Sequence, residues 1–460
     1  MAFLGIDLGT GGVRCLLAEE DGSIRGQVSR ALEKLNVATI EQGSEQDPRE
    51  WIEVLESALE ELFSDPANRE VRAIAVDSTS GTVLPVADNG SPLGNALLYN
   101  DMRSEEEAKG CAVVFEGSCS PTFSLPKILW MQGHLDLPDD CLFLHATDYL
   151  QAWLAGTTNV PTDFTNAMKT GVDLESQQWS ADLPAIRLPE VLAPGRRFGT
   201  LRGDLQKRWQ LPGEVALVTG ATDSNAAFYA SGAAVAGDWS TTIGTTLAVK
   251  GLSEARIEDP EARIYCHKHP DGTWLPGGAS NAGGEIVRER FGDRPEEMEG
   301  LAAERRETSH LVYPSVRRGE RLPFSSQSFT PFFIGDEADR VGVFLGCVEG
   351  VACVEALVYN LLESLGAAVG DTIYATGGAA RSSLGLQIRA AMVEKTLCVP
   401  SHPNSAMGAA ILAAAGYLER SVGELSRQMV TIERTVEPRP TAYYRDRLAE
   451  FRRACHEALG

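Results

Sequence analysis

From Phe3 to Leu8 the chain is apolar except at Asp7, and four small residues, Gly9-Thr10-Gly11-Gly12, then interrupt it. Val13 to Ala18 resumes the apolar run, Asp21-Gly22 breaks it again, and Ser23 to Arg30 follows. Strand-like runs joined by glycine-rich turns predict a β-meander. The period then changes from two to about 3.6: Trp51, Val54, Leu55, Leu59 and Leu62 fall on one face of a helix started by Pro48 and reaching Phe63. Val71 to Val76 reads as a buried strand that delivers Asp77-Ser78-Thr79-Ser80-Gly81 at its end. Strands alternating with helices point to an α/β layered domain.

The pattern restarts near the middle. Residues 238–250 repeat the order strand, Gly-Thr turn, strand, with Gly244 standing 235 positions after Gly9. A long apolar helix is predicted from Gly350 to Leu365, a strand from Thr372 to Thr376, Gly377-Gly378 opening a helix at about Arg381, and another helix from Ala406. Tyr444, Leu448, Phe451, Cys455 and Leu459, three or four apart, predict a packing helix in the 420–460 tail. The expectation is two α/β halves of similar build, 1–235 and 236–460, around a central cleft where ligands usually sit.

Composition narrows the function. The 460 residues are 43% hydrophobic and 23% charged, and 45 Gly with 23 Pro are too few for a collagen or a disordered polymer. Asp and Glu number 64 against 41 Lys and Arg, a net charge of −23. That balance argues against nucleic acid and anionic membrane as partners, because both need clustered positive charge. Nine cysteines without a CxxC pair suit a reducing cytoplasm. The longest wholly apolar run, Met407 to Leu418, is far shorter than the ~20 residues of a bilayer span. A soluble cytoplasmic protein is expected.

Chemistry concentrates at the turns. Asp7 stands just before Gly9-Thr10-Gly11-Gly12. Such a turn aims N–H groups at an anion, and the acid beside it holds Mg²⁺ on that anion's oxygens. The same residues also read as an ordinary hairpin whose glycines supply positive φ. The echo at Gly244-Thr245-Thr246 favours the first reading, since two such hairpins clamp one polyphosphate from both sides. Neither is a GxxxxGK[ST] P-loop. Asp223, in Gly220-Ala221-Thr222-Asp223-Ser224-Asn225, reads as a helix N-cap or as a base for a substrate hydroxyl, and its place just before the second hairpin favours the base. Gly377-Gly378 at a helix start allows close approach of a nucleotide, or is simply a tight turn. Asn100-Asp101-Met102-Arg103 suits a polyol, or is a polar loop. Tyr265-Cys266-His267-Lys268-His269 invites a metal reading, but in a strand the two His share one face and Cys266 takes the other, with no second cysteine pair to complete the set.

Taken in order, these segments resemble the FGGY carbohydrate kinases of the actin-like and hexokinase-like ATPase superfamily. The resemblance runs nearly end to end. It is carried by Gly5 to Thr10, Leu98 to Arg103, Ser124-Leu125-Pro126-Lys127-Ile128-Leu129-Trp130, Gly220 to Asp223, Ile243 to Thr246, Gly319 to Pro323, Gly377-Gly378 to Arg381, and Met407 to Ala410. Asp77 to Leu84, with Leu97 to Asn100 and Gly277 to Gly284, is most similar to the small plant and cyanobacterial D-ribulose kinases; xylulose and glycerol kinases tend to show a Met-His or Arg-containing motif at the first of these.

The resemblance implies two ribonuclease H-like domains, ATP and Mg²⁺ as cofactors, and phosphorylation of a ketopentose, D-ribulose first and D-xylulose or another polyol second. It implies that Asp7 and Thr10 handle phosphate and metal, that Asp223 is the base, and that Ser80, with Asn100, Asp101 and Arg103, holds the sugar. Gly9, Gly11, Gly12, Gly244, Thr245, Thr246, Gly377, Gly378 and Arg381 then bind the nucleotide. Ser382 and Gly385 stand where the family often has Asn and Trp, and Asn404-Ser405 where many members carry Glu, departures that bear on adenine affinity. A non-catalytic ATP-dependent clamp on the same scaffold is the alternative from another class, and Asp223 discriminates, because a clamp needs no base. A monomer or homodimer is expected.

Overall fold

A computed structural model of the protein describes residues 1–33, 43–115, 119–292, 295–305 and 307–459. The chain forms two compact units, one of Met1–Ala230 with Asn404–Met429, the other of Ser231–Pro403 with Val430–Gly460.

In the first unit the meander forms as the pattern predicts. Ala2–Gly9, Gly12–Glu19 and Ile24–Ala31 pair antiparallel, with Asp7 opposite Arg14 and Gly9 opposite Gly12. On its other edge Ala2–Gly9 runs parallel to Val71–Ser78, which runs parallel to Ala216–Thr222, and Arg197–Thr200 closes the six-stranded sheet antiparallel. Alternation along the first strand sends Leu4, Ile6 and Leu8 into a core shared with Trp51, Leu55 and Leu59 of the helix Pro48–Ser64. Phe3 takes the opposite face, its ring 6.0 Å from that of Tyr417. A strand buried on both faces reads as a near-continuous apolar run, which is why Asp7 stands out in it.

The second face is covered by the helix Ser405–Leu418, which packs on Ala2–Gly9, Val71–Ser78 and Ala216–Thr222. The sequence reading placed residues 404–429 in the second half. Close approach of small residues brings them to the first: a Cβ on Gly5 would overlap the Ala406 carbonyl, and one on Gly408 would overlap that of Ala226.

The second unit repeats the connectivity. Trp239–Ile243 and Leu247–Gly251 form the hairpin; Thr372–Thr376 and Thr396–Pro400 add in parallel on one side, and Ile432–Val436 closes antiparallel. Trp274–Ser280 and Tyr265–Lys268 extend the other side to seven strands. Two units with one succession of parallel and antiparallel pairings make this an α/β fold of two similar halves, of the actin-like and hexokinase-like type.

The long helix starts at Arg340, ten residues before the predicted start, and ends at Ser364. Asp339 caps it, its carboxylate accepting from the Gly342 N–H at 3.0 Å. Gly342, Gly346 and Gly350 look like breakers in sequence, yet at four-residue spacing they make a groove; a Cβ at these positions would meet His310 or Val312. The helix is long and apolar enough to cross a bilayer by length and composition, but most of it is buried in the unit's core. Tyr265–Lys268 is a sheet-edge strand, and among the described residues no three His, Cys, Asp or Glu side chains gather as a metal site.

Candidate active site

Three adjacent parallel strands end together in the first unit, and each brings a carboxylate. Asp7 is opposite Asp77 in the pairing of Ala2–Gly9 with Val71–Ser78, and Asp77 is opposite Ala221 on the next strand, two residues before Asp223. Thr222 takes the N-cap position of the helix Asp223–Tyr229, so Asp223 is its first residue, partly exposed, accepting from the Ser224 N–H at 2.6 Å. The simple N-cap alternative therefore belongs to Thr222.

Asp77 is fully buried, and among the described residues neither carboxyl oxygen has an N–H or hydroxyl donor in reach. Burial, then the charges of Asp7 and Asp223, push its pKa well above the usual carboxylate range. Burial also raises Asp7, against a hydrogen bond from Asp77 and the Arg14 guanidinium at 3.6 Å. Both carboxyls are thus biased toward holding a proton, Asp77 the more strongly. Of the clustered acids, Asp7 and Asp223 are partly exposed and suit a hard divalent cation. Mg²⁺ takes one or two carboxylates and completes its shell with water and substrate phosphate, so a cage of three side chains is not required.

The turn that follows Asp7 is braced from beneath. The Gln46 side-chain amide donates to the Thr10 carbonyl at 2.8 Å, and the Trp51 indole N–H donates to the Gln46 side-chain oxygen at 2.9 Å. Gly9 and Thr10 are partly exposed, Gly11 is exposed, and the Gly11 carbonyl accepts from Leu32 N–H at 3.1 Å.

On the sugar side, Ser80 is partly exposed at the end of the Asp77 strand, and the Lys169 ammonium lies 3.5 Å from its carbonyl. Lys169 is drawn down in pKa by burial and held up by the charge of Asp223. Asn100 is exposed. Asp101 and Arg103, expected at the sugar, turn inward instead. Asp101 is fully buried and accepts from the Ser44 N–H at 2.7 Å, the Arg103 N–H at 3.1 Å and the Arg103 Nε at 2.9 Å. Arg103 lies 4.9 Å from the centre of the Trp130 ring and 3.2 Å from Glu45. A carboxylate saturated by local donors and a guanidinium stacked on indole brace the loop.

In the second unit a cavity of about 540 Å³ is lined by Gly244, Thr245, Gly378 and Arg381. Ile243, Val287, Phe344, Val348 and Val351 form its apolar wall; Glu285, Arg288, Glu296 and Glu299 supply charge. Thr246 and Gly377 lie beside it. Gly377 has φ of 81°, and a Cβ there would crowd the Ile243 backbone, so glycine is required. The Gly244 N–H donates to the Thr246 carbonyl at 3.0 Å, so this amide is engaged within the turn. Ser382 caps the helix Ser383–Val393 through the Gly385 N–H, 2.8 Å, while its hydroxyl donates to Glu299 at 2.9 Å. Ser382 and Gly385 both line the cavity, whose floor includes Arg389, buried in a bidentate pair with Glu355 at 2.6 and 2.8 Å.

Sequence reasoning passed over three of these groups. Asp77 had a visible signal, an acid closing a wholly apolar strand. Lys169 and Gln46 had none, for only folding brings them to Ser80 and Thr10.

Residues 2–229 match the N-terminal domain of the FGGY family of carbohydrate kinases, and residues 232–417 match its C-terminal domain. A xylulose kinase of Staphylococcus epidermidis is 27% identical over 449 residues, 90% of this chain and 87% of the relative. Among solved structures, a xylulose kinase of Rhodospirillum rubrum superposes with a TM-score of 0.84 at 21% identity, covering 99% of both chains. A glycerol kinase of Plasmodium falciparum with ADP gives 0.86 at 17%, covering 100% of this chain and 98% of that one. With both family domains matched over the carboxylate cluster and the cavity-lining turns, the chain belongs to the FGGY family of carbohydrate kinases.

Proposed function

We propose that the protein transfers the γ-phosphoryl group of ATP to the terminal hydroxyl of a ketopentose, with D-ribulose the preferred acceptor. The reading rests above all on the Asp77-Ser78-Thr79-Ser80 strand end, where short side chains replace the bulky Met-His pair of the xylulose kinase pattern and the Ser80 carbonyl lies 3.5 Å from the Lys169 ammonium. D-Ribulose and D-xylulose differ only at C3, and a site that hydrogen-bonds one hydroxyl rejects its epimer by leaving buried polar groups unpaired.

Asp223 accepts the proton of the reacting hydroxyl and orients its lone pair toward phosphorus. Asp7 would hold magnesium, which would supply positive charge to offset that on the phosphate oxygens. Asp77, its pKa raised by burial, stands beside Asp7 and disfavours a second negative charge there. Lys169 supplies a desolvated positive charge beside Asp223. The turn at Gly9 to Gly12 and the cavity at Gly244, Thr245, Gly378 and Arg381 serve the nucleotide. All nine cysteines are free, in keeping with a cytoplasmic enzyme.

D-xylulose is the second reading, favoured by the similarity to xylulose kinases. Coupled ADP release over D-ribulose, D-xylulose, L-ribulose and glycerol distinguishes them. The highest kcat/KM is expected for D-ribulose; a tenfold preference for another sugar overturns the acceptor while leaving a kinase. No turnover on any sugar favours the non-catalytic clamp.

A further inference from the structure

The Lys127 side chain is fully buried in the first unit, on the helix Ser124–His134. Its ammonium donates to three backbone carbonyls: Gly81 at 2.9 Å, Leu98 at 2.5 Å and Thr122 at 3.0 Å. An ammonium has three N–H donors and no acceptor, so the three carbonyls use it completely. They come from three separate stretches of chain. Gly81 follows Ser80, Leu98 stands two residues before Asn100, and Thr122 ends the approach to the helix.

Packing alone does not call for lysine here. Neighbours on the same helix, Leu125, Ile128 and Met131, are buried apolar residues, and methionine at 127 would match their chemistry. Burial draws the Lys127 pKa down to about 7, with Asp101 holding it up and Lys169 and Arg103 lowering it further, so an ammonium here depends on its carbonyl partners. Its partners here are the backbone of the segments carrying Ser80 and Asn100, and the charges around it, Asp101, Arg103 and Lys169, belong to those segments or face them. A tripod of this kind holds the relative position of three loops that have no strand pairing at these carbonyls.

We infer that Lys127 is a positioning residue of the sugar site, joining the loops of Ser80, Asn100 and Thr122 through their carbonyls and setting acceptor affinity without touching the acceptor. This rests on the placement of the sugar at Ser80 and Asn100 proposed above.

The test compares K127M with S80A in the full-length enzyme, measuring KM for ATP and for the panel sugar with the highest kcat/KM, alongside thermal melts. K127M is expected to melt cooperatively, raise the sugar KM at least tenfold and move the ATP KM less than twofold. A folded K127M with sugar KM within twofold of wild type, while S80A raises it, overturns the role of Lys127 and leaves the sugar placement standing. If S80A is also without effect, the sugar placement falls and this inference with it. Should K127M not fold, K127A is assayed with methylammonium or sodium chloride. Recovery of sugar affinity with methylammonium alone supports the tripod; a folded K127A that does not recover overturns it.

Discussion

Asp77 faces Asp7 across a parallel strand pair, and burial raises the pKa of both, that of Asp77 well above the usual carboxylate range. Asp77 is fully buried and Asp7 only partly exposed, so a second negative charge on the pair is poorly solvated. Their pairing makes stability depend on pH. A raised carboxyl pKa contributes stability that is complete below the unfolded value of 3.8 and is lost as pH rises through the folded value. Asp77→Asn removes the ionisation while keeping the shape. The variant should therefore melt above wild type at pH 8, with the gap closing as pH falls toward 5. Parallel melting curves across that range would show that Asp77 has no such shift.

Asp223 opens a helix with its carboxylate partly exposed beside Lys169 and Asp77. Asp223→Asn keeps the shape and removes the base, so sugar phosphorylation should fall at least ~100-fold with the fold intact. Near-normal turnover by the folded variant, followed by coupled ADP release, would remove Asp223 from that role.

Gln46 joins Trp51 to the Thr10 carbonyl. Gln46→Leu takes away the donor that holds the phosphate turn, and kcat/KM for ATP should fall about tenfold, the equivalent of one hydrogen bond of about 1.4 kcal/mol. Trp51→Phe removes the indole donor that orients Gln46, so the double variant should lose less than the product of the two single effects. Fully multiplicative losses would mean that the two side chains act separately.

Glu355 neutralises Arg389 beneath the cavity of the second unit. Glu355→Ala leaves a buried guanidinium unpaired and should cost about 3–5 kcal/mol in urea unfolding, while Glu355→Leu with Arg389→Met should recover most of that loss. A single variant as stable as wild type would mean that solvent reaches Arg389.

Local order was legible along the chain because local order is what periodicity reports. The switch from period two to 3.6 marked the meander and the helix after it, and the Gly-Thr turn at 244 marked the repeat. The start of the long helix was hidden because Gly342, Gly346 and Gly350 signal a break by propensity, whereas packing against His310 and Val312 uses their missing side chains. Asp101 and Arg103 looked like ligands because a polar run does not reveal which way its side chains turn.

The sequence by itself determined the α/β class, the duplicated hairpin, the acids at the ends of apolar strands and the order of motifs that identifies the family. Each is written in neighbouring residues. Packing assigns Asn404–Met429 to the first unit, sets Asp77 opposite Asp7, and lets Gln46, Lys169 and Lys127 reach Thr10, Ser80 and the loops beside it. Apart from the five-residue step from Lys127 to Thr122, these relationships join residues from 29 to more than three hundred positions apart. They depend on close approach, burial and the direction of a side chain, which arise only when separate strands and helices pack together.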